Sequence, residues 1–218
     1  MAVSNKEYPL KTYSPLEEKI NIGSHALGTV GCIVALVLML VKIAPLNNGL
    51  YLFSVLTYGL SLITLYSAST LFHSSTTPKR RYRLNILDHC AIFLLIAGTY
   101  TPFTLIVLKG NIGLLIFGGV WFAAILGITL KFFFTGKFRL LSTIMYVLMG
   151  WMVIFAIKPL YNNMHVEGFW WLIGGGVAYT LGAVLYAIKK IAYNHAIFHL
   201  FVLLASACHF ICIYFYVI

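Results

Sequence analysis

Seven apolar stretches, each long enough to cross a bilayer, leave this chain few ways to fold. A helix needs about 20 apolar residues to traverse the hydrocarbon core. The stretches run over Ile20–Ile43, Gly49–His73, Leu84–Leu108, Ile112–Phe132, Phe138–Ile157, Phe169–Ile188 and Asn194–Val217. Turn formers and basic residues separate them: Pro45-Leu46-Asn47-Asn48-Gly49, Thr77-Pro78-Lys79-Arg80-Arg81, Lys109-Gly110-Asn111, Thr135-Gly136-Lys137, Lys158-Pro159 and Lys189-Lys190. Strands of a membrane barrel would be about ten residues long and alternate in polarity; these segments are longer and do not alternate. The expected fold is all-α, a seven-helix transmembrane domain over residues 20–218. A polar segment, 1–19, precedes it; this segment contains Pro9 and Pro15 and does not read as a cleavable signal peptide.

Only 9% of the 218 residues are charged and 61% are hydrophobic, whereas a soluble domain carries about 25% charge. That excludes an ordinary soluble enzyme, a disordered chain and a nucleic-acid-binding domain. The expected location is a cell membrane, as a multi-pass protein. The net charge of +10 then reads as basic residues gathered on one side of that membrane. The second, fourth and sixth loops hold Lys79, Arg80, Arg81 and Arg83, then Lys131, Lys137 and Arg139, then Lys189 and Lys190. The intervening loops hold Lys42, Lys109 and Lys158, one each. This bias places the N-terminus in the cytoplasm and the C-terminus outside. Cys32, Cys90, Cys208 and Cys212 lie in apolar runs without CxxC spacing and read as buried thiols.

Some features call for no chemistry. Pro102, in Thr99-Tyr100-Thr101-Pro102, reads as a kink in the third helix. Gly174-Gly175-Gly176 with Gly182 reads as a smooth face for helix packing. Trp170-Trp171 reads as an interfacial anchor.

Ionisable and polar groups inside spans are costly there and point to function. His73 closes the second span, Asp88 and His89 stand just inside the third, and His195 and His199 open the seventh. In any serpentine of seven helices the second ends on the face where the third and seventh begin. His195 and His199 differ by about 40° in helical phase and stand about 6 Å apart along the axis, so they share a face. Ser69 and His73 have the same spacing. In the first span Glu18, Asn21 and His25 fall within a sector of about 60°, continued by Gly28 and Cys32. This stripe should face the bundle interior, either as an inner polar network or, for Glu18, as a helix cap.

Three histidines, His73, His195 and His199, with the carboxylate of Asp88 suit zinc and leave a position for water. Zinc lowers the pKa of that water to about 7. Asp88 either binds the ion directly or, as the preferred reading, holds the water and accepts its proton, and Ser69 can donate a hydrogen bond. The alternative for the same residues is a set of histidines bonded across helices or lining a proton path. His89 points about 100° away from Asp88; His209 lies toward the far end of the seventh span, and His165 in the loop before the sixth.

The combination resembles the hemolysin III branch of the progestin and adipoQ receptor family. The residues that carry the likeness are Glu17-Glu18-x-x-Asn21-x-x-Ser24-His25, Ser69-x-x-x-His73, Asp88-His89, Ile96-Ala97-Gly98-Thr99-Tyr100-Thr101-Pro102, Gly176-x-x-Tyr179-x-x-Gly182 and His195-x-x-x-His199. The resemblance implies a seven-helix fold with a cytoplasmic N-terminus. It also implies zinc held by His73, His195 and His199, a water between that ion and Asp88, and Ser69 nearby. The superfamily includes alkaline ceramidases, which hydrolyse a lipid amide, and hemolysin III is named for a lytic, pore-forming activity. The receptor branch has tyrosine where this chain has His89, and the long N-terminal domain of animal receptors has no counterpart here. The compact form implies a bacterial inner-membrane protein without a hormone ligand.

Three functions follow as expectations. The first is a zinc-dependent hydrolase of a membrane lipid amide or ester, with acyl chains held between helices. The second is a membrane-lytic pore. The third is a receptor or regulator of membrane lipid composition in which zinc is structural.

Overall fold

The structure, a computed structural model, describes residues 12–134 and 139–218. Helix α1 spans Pro15–Ile43, α2 Gly49–Ser74, α3 Pro78–Pro102, α4 Gly110–Phe134, α5 Arg139–Gly150, α6 Ile157–Asn163, α7 Val166–Ala187 and α8 Asn194–Tyr216. Among the described residues, seven helical segments are long and apolar enough to cross a membrane.

The first helix starts at Pro15, five residues before the apolar run, because local chemistry starts it there. The Ser14 hydroxyl accepts the Glu17 N–H at 3.2 Å, and proline occupies the first turn. Glu18 therefore sits inside α1 and is not its cap. Asn48 caps α2 in the same way, accepting the Leu50 N–H at 2.9 Å.

Pro102 does more than bend α3. The chain continues through a π-helical turn over Phe103–Val107, a widening that commonly follows loss of a regular backbone bond. The Thr101 hydroxyl donates to the Ala97 carbonyl and Thr104 to the Tyr100 carbonyl, both at 2.9 Å. The fifth span also differs from expectation. It is broken: α5 passes through a 3-10 segment, Met152–Ala156, into α6. Lys158-Pro159 lies within α6 and does not end the span, since proline in a first turn removes no intrahelical bond. Phe138 and Lys137 lie outside the described residues.

α1 packs on α2, α2 on α3, α3 on α4, and α8 on both α7 and α1. The middle of the bundle is α3, with 78% of its apolar window buried against 22% for α1. Outward faces carry Leu27, Val30, Leu115, Phe122, Phe133 and Phe155, all exposed as lipid-facing residues are. At one end of the α1–α8 seam the Lys42 ammonium donates to the Tyr214 carbonyl and lies over the Tyr214 ring at 4.6 Å.

The α2–α3 contact depends on Gly98. A Cβ built there would stand 2.2 Å from the Ser61 hydroxyl oxygen and 3.1 Å from the Thr57 carbonyl. Gly98→Ala should therefore force the two helices apart, at about 1–3 kcal/mol for overpacking. The expected result is a fall of several degrees in the thermal midpoint of detergent-purified protein, read by circular dichroism; an unchanged midpoint would show that the seam can relax. The glycine face of α7 packs as its sequence implies at Gly175, where a Cβ would meet the His209 ring at 2.2 Å.

Candidate metal centre

His73 lies in the last turn of α2, and His195 and His199 in the first two turns of α8. The start of α8 is fixed by Tyr193, whose backbone is left-handed at φ 56°, and by Asn194, whose amide donates to the Tyr186 carbonyl at 2.8 Å. The α-helical spacing then aims both histidines at His73. His195 Nε2 stands 3.0 Å from His73 Nε2 and 3.1 Å from His199 Nε2. One ring nitrogen from each of these three buried residues lies within 4.8 Å of the others.

The neighbouring proton positions matter. His73 Nδ1 is 2.6 Å from Glu18 Oε2, so Nδ1 carries the proton and donates to the carboxylate. That leaves a lone pair on His73 Nε2, facing the triad. If neutral His195 donates from Nε2 to His73, the same atom has no lone pair left for His199. A neutral triad therefore satisfies one of its two contacts only at the expense of the other, whereas a cation satisfies all three lone pairs. Zinc–nitrogen bonds of about 2.0–2.1 Å in a tetrahedron put ligand nitrogens about 3.3 Å apart, close to the two spacings from His195 Nε2. The donor set could therefore hold a metal ion.

α1 supplies the surroundings. Glu18 also pairs with the Arg81 guanidinium, and the amide nitrogen of Asn21 lies 3.5 Å from His73 Nδ1. His25 stacks on His199 with ring centroids 3.6 Å apart and planes 10° from parallel. Its edge also meets Tyr66 at 4.9 Å. The α1 stripe thus faces the triad from one side.

Ser69 of α2 and Asp88 of α3 complete the surroundings. Both are buried, the Ser69 hydroxyl interacts with the Asp88 carboxylate, and Asp88 is within electrostatic reach of His73. Asp88 is not part of the close donor group. It lines a cavity of about 170 Å³ together with Ser69, His195 and His199. The cavity continues between α3, α5, α7 and α8 along mostly apolar and aromatic side chains to Tyr100, Trp151 and His209. His209 is thus outside the triad but lines the far part of the same cavity, bonded to the Leu172 carbonyl at 3.1 Å. His89 lines the cavity too, and its carbonyl accepts from the Tyr146 hydroxyl at 3.0 Å. His165 precedes α7 near Tyr216, at the other end of the bundle.

A sequence profile described as haemolysin-III related matches residues 13–210. The chain belongs to the haemolysin-III related family. Hemolysin-3 of Bacillus cereus is 44% identical over 202 residues, covering 93% of this chain and 92% of that protein. A hemolysin-3 homolog of Bacillus subtilis (strain 168) is 44% identical over 200 residues, covering 92% and 94%. The human monocyte to macrophage differentiation factor is more distant, at 28% identity over 165 residues and 73% and 68% coverage. With its seven spans, this haemolysin-III family chain is a multi-pass membrane protein.

The matched segment includes two residues at the centre that carry no sequence signal of their own. Tyr13, just before α1, stacks on His195 at 4.6 Å and 19° and tilts onto His73 at 5.6 Å. It roofs the triad, and burial pushes its hydroxyl above the usual tyrosine range. Arg81, read from sequence as one of four loop charges, turns back onto Glu18 and donates to the carbonyls of Phe72, His73 and Ser75 at 3.2–3.4 Å. A guanidinium with five donors can close a helix C-terminus and hold a carboxylate at once.

Proposed function

We propose that this haemolysin-III family protein is a zinc-dependent hydrolase of a membrane lipid amide or ester, of the ceramidase kind. The observation that carries this reading is the convergence of three imidazoles at the head of an apolar cavity that Asp88 and Ser69 also line. His73, His195 and His199 would hold the ion. Zinc, if bound there, would supply a water with its pKa lowered to about 7 and a Lewis acid for a carbonyl.

The chain's own groups supply the rest. Asp88, buried beside the triad, accepts the proton of the attacking water and returns it to the leaving amine or alcohol. Ser69 holds the Asp88 carboxylate in place with its hydroxyl hydrogen bond. The apolar cavity lays the acyl chain between α3, α5, α7 and α8, placing its carbonyl at the polar end. Glu18, held by Arg81, orients His73 by accepting its Nδ1 proton.

The face that carries the triad also carries Lys79, Arg80, Arg81, Arg83, Lys189 and Lys190. That excess supports a cytoplasmic placement of the centre, with the N-terminus inside and the C-terminus outside. Reaction with a membrane-impermeant thiol reagent at a cysteine introduced beside Lys79, in spheroplasts and in inverted vesicles, tests the orientation.

The direct test is elemental analysis of purified protein, followed by fatty-acid release from acyl amides and esters in mixed micelles. One zinc per chain and metal-dependent release are expected; metal-free protein, or release that chelation leaves intact, would overturn the reading. Glu18→Gln should keep the shape of the site but weaken the hydrogen bond to His73, lowering zinc affinity about 10–100-fold in chelator competition. Equal affinity would assign Glu18 to helix packing alone. The name of the Bacillus cereus relative raises membrane lysis as a second reading. Dye release from liposomes that survives loss of the triad histidines would support lysis.

A further inference from the structure

Val120, Ala124, Gly127 and Lys131 follow one another along α4 at helical spacing. Val120 and Ala124 are buried, and Gly127 packs under the Phe93 ring. The other side of α4, with Phe122, Leu126, Phe132 and Phe133, is exposed. Lys131 thus occupies the inward stripe, where its predecessors are small and apolar. A lysine this near a helix end ordinarily snorkels to water along its apolar stem. This one is only 5% exposed and lines the main cavity.

Its depth follows from the helix contacts. The Cys90 thiol reaches the Ile128 carbonyl at 3.9 Å, which sets Cys90 level with Ile128 on the antiparallel neighbour. Lys131 lies about 4.5 Å further along α4, and Asp88 about 3 Å back along α3. The two charges therefore stand at nearly the same depth on the rim of one cavity. Ser142 and Thr143 of α5 and His89 of α3 line it as well. The polar end of the cavity has two chemically different rims: the triad with Asp88 and Ser69, and an ammonium accompanied by hydroxyl and imidazole groups. A rim of that second kind favours an anionic oxygen.

We propose that Lys131, with Ser142 and Thr143, binds the anionic head, a carboxylate or phosphate, of an amphiphile whose acyl chain occupies the cavity. Among acyl amides and esters, lipids with a negatively charged head are then preferred over neutral ones. This rests on the lipid-hydrolase reading for the fate of the bound molecule, but its binding is measurable without turnover.

N-palmitoylglycine and N-palmitoylethanolamine share the same acyl amide and differ in a carboxylate against a neutral hydroxyl. Their affinities for intact protein in detergent are compared by thermal stabilisation and by native mass spectrometry. The wild type should bind the anionic amide at least tenfold more tightly. Lys131→Met should erase that preference while leaving the neutral amide's affinity unchanged, and Lys131→Arg should preserve it. Retained binding of the neutral amide shows that the Met variant is folded. Inorganic phosphate at millimolar concentration, run in parallel, should neither stabilise the protein nor displace N-palmitoylglycine. Equal affinities in the wild type, equal losses for both amides in Lys131→Met, or Lys131-dependent binding of phosphate without lipid preference would each overturn the proposal. An unchanged preference in protein that hydrolyses neither amide nor the corresponding palmitoyl esters would uphold the subsite and reject only the hydrolase reading.

Discussion

Replacing His195 and His199 together with alanine is expected to leave the purified protein without zinc. Structural zinc sites bind with about 10–16 kcal/mol at neutral pH. Two of three protein ligands account for roughly two thirds of that, so affinity should fall by at least about four orders of magnitude. Both side chains come from one face of α8 and touch the same partner, His73, so their effects will not be additive. Elemental analysis after dialysis against a weak chelator gives the answer, with helical circular dichroism as the control for folding. Wild-type zinc content in the double variant would remove the proposed centre. Because an ion bound to the folded state stabilises it by mass action, the wild type should also lose thermal stability on chelation and the variant should not.

Asp88→Asn is expected to separate the metal from the chemistry. Asp88 stands beside the triad without belonging to the close donor group, so the isosteric amide should keep the zinc. An amide cannot accept the proton, and loss of a general base costs about 10²–10⁴-fold in rate. Fatty-acid release should fall by that factor at unchanged metal content. Release at the wild-type rate would eliminate Asp88 as the base. Zinc lost together with activity would make it a ligand.

The spans were legible because lipid tolerates few alternatives: an uncharged run of 20 or more residues has nowhere else to go. His195 and His199 were legible as a pair from helical spacing, and serpentine topology alone carried His73 and Asp88 to the same end. The α1 stripe was legible from its phase, although its two readings were not separable until Ser14 was seen to cap the helix. Tyr13 and Arg81 were not legible. One precedes any periodic pattern, and the other looks like every other basic residue after the second span. Lys131 was counted as a loop charge because its apolar neighbours end there; only the packing of α4 against α3 shows that its side chain turns inward. The break in the fifth span was missed for the converse reason, since Lys158-Pro159 carries the turn signals of a loop yet sits in a first turn.

The three imidazoles are widely separated in synthesis order. His73 emerges in the first half of translation, whereas His195 and His199 belong to the last helix, which closes against α1 and α7. A nascent chain stalled before residue 195 has a single donor and no cavity wall from α8. An ion held by all three imidazoles would therefore require α8 to have inserted beside α1.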